Sequence, residues 1–255
     1  MSALAGKVVS VRVGKVTQYE RPAWDHIQGR PYHTAFRKAE VAGAIRIGPL
    51  GLEGDEQADK KFHGGPEMAV LMYAESHYPG WRQLEGLADM GPGGFGENLT
   101  VSGLEETQVC IGDVLEVGGT QMQVSSPRGP CADISRRWDR EWLLKKVVER
   151  RHTGWYLRIL RPGGVKVGDR ARLVERVHEG WTVDRILRLR YVTPHDAAGL
   201  REASTLAAFT REWREKFAEL AAKGWADARA WRSSADPLPH RACRPRKRRR
   251  CEAGA

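Results

Sequence analysis

A single cysteine, Cys131, lies in a short stretch whose residue types suit metal or thiol chemistry. The stretch runs Ser126-Pro127-Arg128-Gly129-Pro130-Cys131. Because proline fixes φ at about −65° and biases the preceding residue towards extended backbone, the cysteine sits on a stiff loop. Arg128 adds a permanent positive charge, which favours thiolate over thiol. A thiolate ligates soft metals and attacks electrophiles, whereas a packing cysteine in a proline-rich loop is the structural alternative.

A second polar segment covers residues 51–66 and combines acids, lysines, a histidine and four glycines. Glycines let backbone N–H groups approach a ligand closely, and Lys61 and His63 add cationic donors to such a nest. The segment therefore suits a phosphate-bearing ligand, although the GxxxxGK(S/T) spacing of a Walker loop is missing. A hydrophilic turn between two strands is the competing interpretation.

A third candidate loop, residues 94–99, reads GFGENL and leads into a predicted strand. The side chain of Asn98 can hydrogen-bond a ligand or its own backbone, and an asparagine in a turn is the more ordinary explanation. Three unusual loops carry more weight together than singly, because loops that converge at a barrel mouth often form a ligand pocket.

The elements that must position these loops are mostly strands. Residues 68–73 (MAVLMY) form a continuous apolar run typical of a buried strand, and Gly118-Gly119 marks a hairpin. Residues 75–87 and 139–151 predict helices. Many short strands, glycine-rich turns and few helices predict a mainly β fold, a barrel or sandwich with one or two packed helices.

The character of the sequence changes after His178. Residues 182–190, 193–206 and 206–223 predict three short helices, so the domain boundary is expected near residues 176–180. We assign residues 1–177 to the β domain, 178–231 to a three-helix extension and 232–255 to a disordered basic tail.

The formal net charge of +10 is concentrated in that tail. Residues 241–255 contain seven Lys or Arg and one Glu, a net charge of +6, which leaves +4 for the rest. The tail could bind nucleic acid nonspecifically, but it lacks interleaved aromatic residues for base stacking. A solvated extension is the favoured interpretation.

The remaining composition restricts the class of protein. No apolar run is long enough to cross a bilayer, and no signal peptide is recognisable. The four cysteines, Cys110, Cys131, Cys243 and Cys251, form no CxxC pair, which argues against a zinc knuckle. We expect a cytoplasmic protein with reduced thiols.

Together these segments resemble the MOSC domain, named for the C-terminal part of molybdenum cofactor sulfurases. The matching stretches are GLEGDEQADKKFHGG at 51–65, FGENL at 95–99 and SPRGPC at 126–131. More narrowly, they resemble the bacterial branch associated with resistance to 6-hydroxylaminopurine. The segment after Gly180-Trp181-Thr182-Val183 is similar to the three-helix extension of that branch.

The resemblance implies a β-barrel that binds a molybdopterin cofactor and reduces N-hydroxylated bases by removing oxygen. It makes Cys131 the catalytic thiolate on molybdenum. The residues then expected to hold the pterin and its phosphate are Lys61, His63, Gly64, Asn98 and Arg128. No flavin or nicotinamide motif is visible, so a separate reductase must supply electrons.

One departure and one alternative accompany the resemblance. The branch usually carries a Lys-Leu pair shortly after the cysteine, whereas Ala132-Asp133-Ile134 follows here. A carrier of the cofactor or of sulfur, without turnover, is the alternative function. Pyridoxal phosphate is also associated with the family, but no lysine stands in a clear Schiff-base context.

Overall fold

The computed structural model describes residues 4–27, 29–60 and 63–223. Its strands, β1 to β13, are Ala5–Val13, Thr17–Tyr19, Tyr32–Thr34, Ala39–Glu40, Ile45–Gly48, Gly51–Leu52, Val70–Ala74, Leu99–Ser102, Val114–Val117, Thr120–Pro127, Trp155–Arg161, Gly163–Val165 and Arg170–Glu175. Its α-helices, α1 to α6, are Tyr78–Arg82, Asp133–Trp138, Leu143–Arg150, Val183–Tyr191, Ala197–Ser204 and Arg211–Lys223. The short segments Pro66–Met68 and Glu75–His77 are 3-10 helical.

Seven strands close into a barrel in the order β1, β13, β9, β10, β11, β7 and β8, which returns to β1. Neighbouring strands are antiparallel except β7 and β8, which run parallel. The closing pair joins Ala5 to Arg172 and Lys7 to Arg170. Closure removes the exposed sheet edges that would otherwise pair with other chains. The predicted mainly β fold is therefore confirmed, as a barrel rather than a sandwich.

Two sequence patterns located strands of this barrel correctly. The apolar run at 68–73 overlaps β7, in which all five residues are buried. Gly118-Gly119 turns β9 into β10, and Val117 pairs with Thr120. Gly118 has φ +55, a backbone conformation that glycine adopts without the penalty a Cβ brings.

A small aromatic cluster beside the barrel fixes the loop that precedes β8. Phe95 in this loop stacks on Tyr73 of β7, with ring centroids 4.5 Å apart, and Trp81 of α1 packs against it. Ile134 of α2 and Leu143 of α3 complete the same buried cluster. The cluster thereby connects the loop at 94–99 to the helix that follows Cys131.

The helices between strands differ from their predictions. The helix expected at 75–87 shrinks to the five residues of α1, and Gly86 has φ +72, which an α-helix cannot contain. The helix expected at 139–151 begins only at Leu143. Helix α2 has no counterpart among the predicted helices; it ends at Trp138, and the next residue, Asp139, has φ +51.

The three predicted C-terminal helices are present as α4, α5 and α6, the last two starting several residues later than expected. Thr182 and Asp196 cap α4 and α5, accepting from the backbone N–H of Arg185 and Gly199. Apolar residues of these helices, including Phe217, are continuous with the barrel core. No helix among the described residues has the length and apolar character to cross a membrane. The predicted disordered tail, 232–255, lies outside the described residues.

Candidate functional site

A cleft at one end of the barrel brings together residues from all three candidate loops. Its empty volume is about 580 Å³ including the open space at its mouth, a size within the range of small-molecule sites. Its lining includes Thr34, Phe36, Lys38, Asp55, Gln57, His63, Gly64, Asn98, Arg128, Cys131, Asp133 and Tyr156. Loops 51–66, 94–99 and 126–131, far apart in sequence, thus face one space.

Cys131 lies where β10 ends and α2 is about to begin. The backbone N–H of Arg128 donates to the carbonyl of Gly154 at 3.0 Å, which ties the proline-rich loop to the strand beside it. The carbonyl of Cys131 accepts from Ile134 at 3.1 Å. Cys131 forms no disulfide and the residue as a whole is half-buried, and Arg128 Nη2 lies 3.6 Å from its Sγ. Cys131 therefore lines the cleft and has a cationic neighbour.

The protonation of Cys131 differs from the sequence expectation. Burial raises the pKa of the thiol above its ordinary value, and the nearby carboxylate of Asp133 raises it further. Arg128 lowers the pKa, as expected, but does not outweigh the loss of hydration. The positive charge of Arg128 therefore does not by itself offset the effect of burial on this thiol.

Arg128 is the least satisfied polar group of the cleft. The residue is only 3 % exposed, and its Nη1 is buried without a hydrogen-bond partner among the described residues. Its guanidinium carbon lies 5.5 Å from the ring centroid of Phe36. An unpaired buried cationic donor costs free energy, so Arg128 Nη1 is suited to donate to an acceptor that binds in the cleft.

A second part of the cleft wall contains a buried ion pair between Lys38 and Asp55. Their side chains are 8 % and 4 % exposed, and Lys38 Nζ donates to Asp55 Oδ1. Asp55 also accepts from the backbone N–H of Gly14 at 2.7 Å and from Gln57 at 3.3 Å. Burial lowers the pKa of Lys38 although the carboxylate raises it. Sequence analysis gave neither residue a role.

Asn98 hydrogen-bonds to the same part of the cleft wall. Its Nδ2 donates to Asp55 Oδ2 at 2.9 Å and to the carbonyl of Arg12 at 3.2 Å. Its Oδ1 accepts from the backbone N–H of Leu71 at 3.1 Å. Both amide hydrogens are thus used within the protein, so Asn98 positions Asp55 and leaves no free donor for a cofactor.

The glycine-rich loop contributes backbone at the mouth. His63 and Gly64 line the cleft, and Gly64 has φ +80. A Cβ on Gly64 would lie 2.8 Å from Gln57 Oε1, so a side chain would collide there. Glycine lets the chain turn close to its neighbours at this point. Lys61 lies outside the described residues.

Asp133, the residue that departs from the branch pattern, also faces the cleft. Thr34 Oγ1 donates to its Oδ2 at 2.7 Å, and Arg136 Nη1 donates to its Oδ1 at 2.9 Å. Arg136 in turn donates to Asp25, whose pKa is lowered to about 2; burial opposes this shift, and the hydrogen bonds that Asp25 accepts outweigh it. Asp133 therefore anchors α2 to β3, immediately beyond Cys131.

Comparison with protein families and known proteins gives concordant matches. The model of the MOSC domain matches residues 59–172, and the model of the YiiM-like, 3-alpha helix domain matches residues 181–224. Uncharacterized protein YflK of Bacillus subtilis is 35% identical over 213 residues, 82% of this chain and 92% of that protein. The chain belongs to the MOSC family.

A solved structure and a further sequence relative are also similar to this MOSC protein. The crystal structure of YiiM from Geobacillus stearothermophilus superposes with a TM-score of 0.69 at 28% identity, covering 85% of this chain and 99% of that one. A protein of Gibberella moniliformis named Reductase is 32% identical over 196 residues, which are 74% of this chain and 33% of that protein.

The structure of this MOSC protein brings together Cys131, Arg128, His63, Gly64 and Asn98. Sequence reasoning missed the contributions of Lys38, Asp55 and Tyr156 to the same cleft. Asp55 stood within the quoted stretch 51–65, but nothing in its spacing indicated a partner 17 residues upstream. Tyr156 belongs to β11, where a single tyrosine gives no signal of function.

Proposed function

We propose that this MOSC protein is a molybdenum-cofactor-dependent reductase of N-hydroxylated bases or related N-oxygenated compounds. The observation that carries the proposal is the proximity of Cys131 and Arg128 in one cleft, where one buried guanidinium nitrogen has no hydrogen-bond partner among the described residues. A soft sulfur donor beside an unsatisfied cation suits a soft metal whose organic ligand bears a phosphate. The fungal relative named Reductase supports an oxidoreductase role.

The donor set fits a metal that brings its own additional ligands. Within the described residues, no group of three or more His, Cys, Asp and Glu side chains could hold a metal ion. Cys131 Sγ would therefore be the protein ligand, and the dithiolene of molybdopterin would provide the other sulfurs. Arg128, the backbone at Gly64 and His63 would hold the pterin and its phosphate, together with Lys61.

The proposed reaction breaks the N–O bond of an N-hydroxylated amine and forms an N–H bond. Two electrons and two protons are consumed, and the oxygen leaves as water. The cofactor supplies the two-electron oxygen-accepting centre. The chain holds that centre on Cys131, orients the substrate within the cleft and restricts water around the reacting atoms. A separate electron-donating reductase completes the cycle.

The first test is elemental analysis. The full chain and its variants are expressed in a host that makes the cofactor. Molybdenum is measured by mass spectrometry, and circular dichroism verifies that each variant is folded like the wild type. We expect close to one molybdenum per chain, with the metal lost in Cys131→Ser. The matched control is Cys110→Ser, because Cys110 is the other described cysteine, buried away from the cleft. Folded wild-type protein without molybdenum, or retention of the metal by Cys131→Ser, would overturn the proposal.

The second test separates a reductase from a carrier. The molybdenum-loaded protein is given reduced viologen and 6-hydroxylaminopurine, and adenine is quantified by chromatography. Turnover that disappears in Cys131→Ser supports the reductase. Bound molybdenum without any turnover on several N-hydroxylated compounds identifies a carrier instead.

A further inference from the structure

Three arginines, Arg12, Arg37 and Arg137, lie close enough beside the cleft for their charges to interact, and only Arg12 forms an ion pair among the described residues. Arg37 stands between Phe36 and Lys38, which both line the cleft, and Arg137 is in α2. Arg12 pairs with Glu40 at 3.4 Å. In the part of the chain that the structure describes, neither Arg37 nor Arg137 forms an ion pair with a carboxylate.

The positive charge of Arg137 is destabilised by burial and by its arginine neighbours. The residue is half-buried, and its Nε is buried without a hydrogen-bond partner within the described ranges. Its pKa is lowered, first by burial and then by the positive charges of Arg37 and Arg12. A guanidinium that is partly desolvated beside two others of the same charge is destabilised unless an anion binds between them.

Aromatic rings hold the arginines in place. The Arg37 guanidinium carbon lies 4.2 Å from the ring centroid of Tyr19, and Tyr19 packs against Tyr32 with centroids 6.0 Å apart. The Arg137 guanidinium lies 5.4 Å from the ring of Trp138, whose Nε1 donates to the carbonyl of Gly94 at 2.8 Å. Cation–π contacts of this kind restrict the side chains before any ligand arrives, which lowers the entropic cost of binding.

The position of the cluster relates it to the reacting centre. Arg137 is on α2, which begins two residues after Cys131, and Arg37 is flanked in the chain by two residues that line the cleft. A ligand that extends from the cleft towards α2 would therefore reach these arginines. Planar, forked guanidinium groups are the side chains best suited to hold a phosphate.

We propose that Arg37 and Arg137 bind the phosphate of the substrate, so that the preferred substrate is a nucleotide carrying the N-hydroxylated base rather than the free base. The identity of the base rests on the proposed function, whereas the phosphate site stands on the arginine geometry. The cofactor also carries a phosphate, and the experiment must therefore distinguish the two sources.

The test uses non-reducible ligands, so it does not depend on turnover. Binding of adenosine 5′-monophosphate and of adenosine to the full-length, molybdenum-loaded protein is measured by calorimetry. Loss of one charge-assisted contact corresponds to roughly tenfold or more in affinity. We expect the monophosphate to bind at least tenfold more tightly than adenosine. Arg137→Gln should remove most of that difference and leave adenosine binding unchanged.

The matched control is Arg188→Gln, which removes one exposed arginine from α4. It should leave both affinities unchanged, and circular dichroism verifies that each variant is folded. Equal affinity for the two ligands, or an unaffected Arg137→Gln, overturns the proposal. A preference for the monophosphate that exists only in cofactor-free protein assigns the arginines to the cofactor phosphate and also overturns it. Absence of molybdenum with the preference intact would instead refute only the proposed function.

Discussion

The two walls of the cleft differ in how completely their polar groups are satisfied. On one wall, Asp55 receives hydrogen bonds from Lys38, Asn98, Gln57 and the backbone of Gly14. On the other, Arg128 keeps a buried nitrogen without a partner among the described residues. Where the polar groups hydrogen-bond to one another, they hold that part of the cleft rigid. Where a donor has no partner, it remains available to bind a ligand. Polar character at a site therefore does not by itself indicate contact with a ligand.

The largest expected effect on stability comes from removing one partner of the Lys38–Asp55 ion pair. Asp55→Asn removes the counter-charge of Lys38 and leaves a buried ammonium uncompensated. Breaking a buried ion pair on one side costs about 3–5 kcal/mol, so the free energy of unfolding should fall by about that amount. Urea titration monitored by tryptophan fluorescence measures it.

The double variant Lys38→Met with Asp55→Asn is the control for that experiment. It removes the stranded charge as well as its partner, and it should recover part of the lost stability. A single variant that loses less than about 1 kcal/mol would show that the pair is well hydrated and that this wall is not rigid.

Substitution of Arg128 should instead leave stability unchanged and weaken cofactor binding. Arg128→Met removes a buried guanidinium whose Nη1 has no hydrogen-bond partner among the described residues and whose Nη2 contacts the weakly accepting Cys131 Sγ, so the cofactor-free protein should melt close to wild type. Its molybdenum content should fall roughly tenfold or more, because a charge-assisted contact is lost. Thermal melting and elemental analysis of the same preparation provide both values.

Arg136→Met is the informative counterpart, since Arg136 forms ion pairs with two carboxylates, whereas Arg128 forms none with a carboxylate among the described residues. Arg136 donates to Asp25 and Asp133, and its removal leaves two carboxylates without that partner. The melting temperature should therefore fall clearly in Arg136→Met. If both arginine variants lose stability equally, the proposed distinction between the walls fails.

The last prediction concerns a polar cluster away from the cleft. His77 and Glu106 form a buried pair at 2.6 Å, and the ring of His152 stacks on His77 at 3.6 Å. Burial, with a further contribution from His77, lowers the pKa of His152 to about 4. Because the folded pKa is below the unfolded value of about 6.5, stability should be lost as pH falls from 6.5 to 4.

The melting temperature measured across that pH range tests the assignment. His152→Gln should flatten the dependence, whereas His195→Gln, at an exposed position, should not. The lowered pKa of Glu106 adds a loss of stability of the same sign, below about 4.5, in all three proteins. A slope between pH 6.5 and 5 that is unchanged in His152→Gln would refute the role of this histidine.

Sequence patterns located the strands better than they located the satisfied wall. Residues 68–73 and Gly118-Gly119 each carry a local signal, an apolar run or a turn preference, that needs no tertiary information. The Lys38–Asp55 pair has no such signal, because its partners meet only when β1 brings Gly14 to the Asp55 loop. Pairing of that kind depends on tertiary contacts between segments that are distant in sequence.

Helix α2 illustrates a second limit. Its six residues, DISRRW, are too few to show an apolar periodicity, and they follow a stretch with two prolines. The helix is held instead by Ile134 in the aromatic cluster and by Asp133 on Thr34. Missing α2 also hid the arginines that it presents, so the proposed phosphate site was not visible in the sequence.

The closing pair of the barrel has a consequence for biosynthesis. The first strand, Ala5–Val13, pairs with the last strand, Arg170–Glu175, which the ribosome synthesises about 165 residues later. At 5–20 residues per second, the first strand is therefore without this partner for on the order of 10–30 s. Nascent chains of this protein should therefore require shielding from premature association until the last strand emerges.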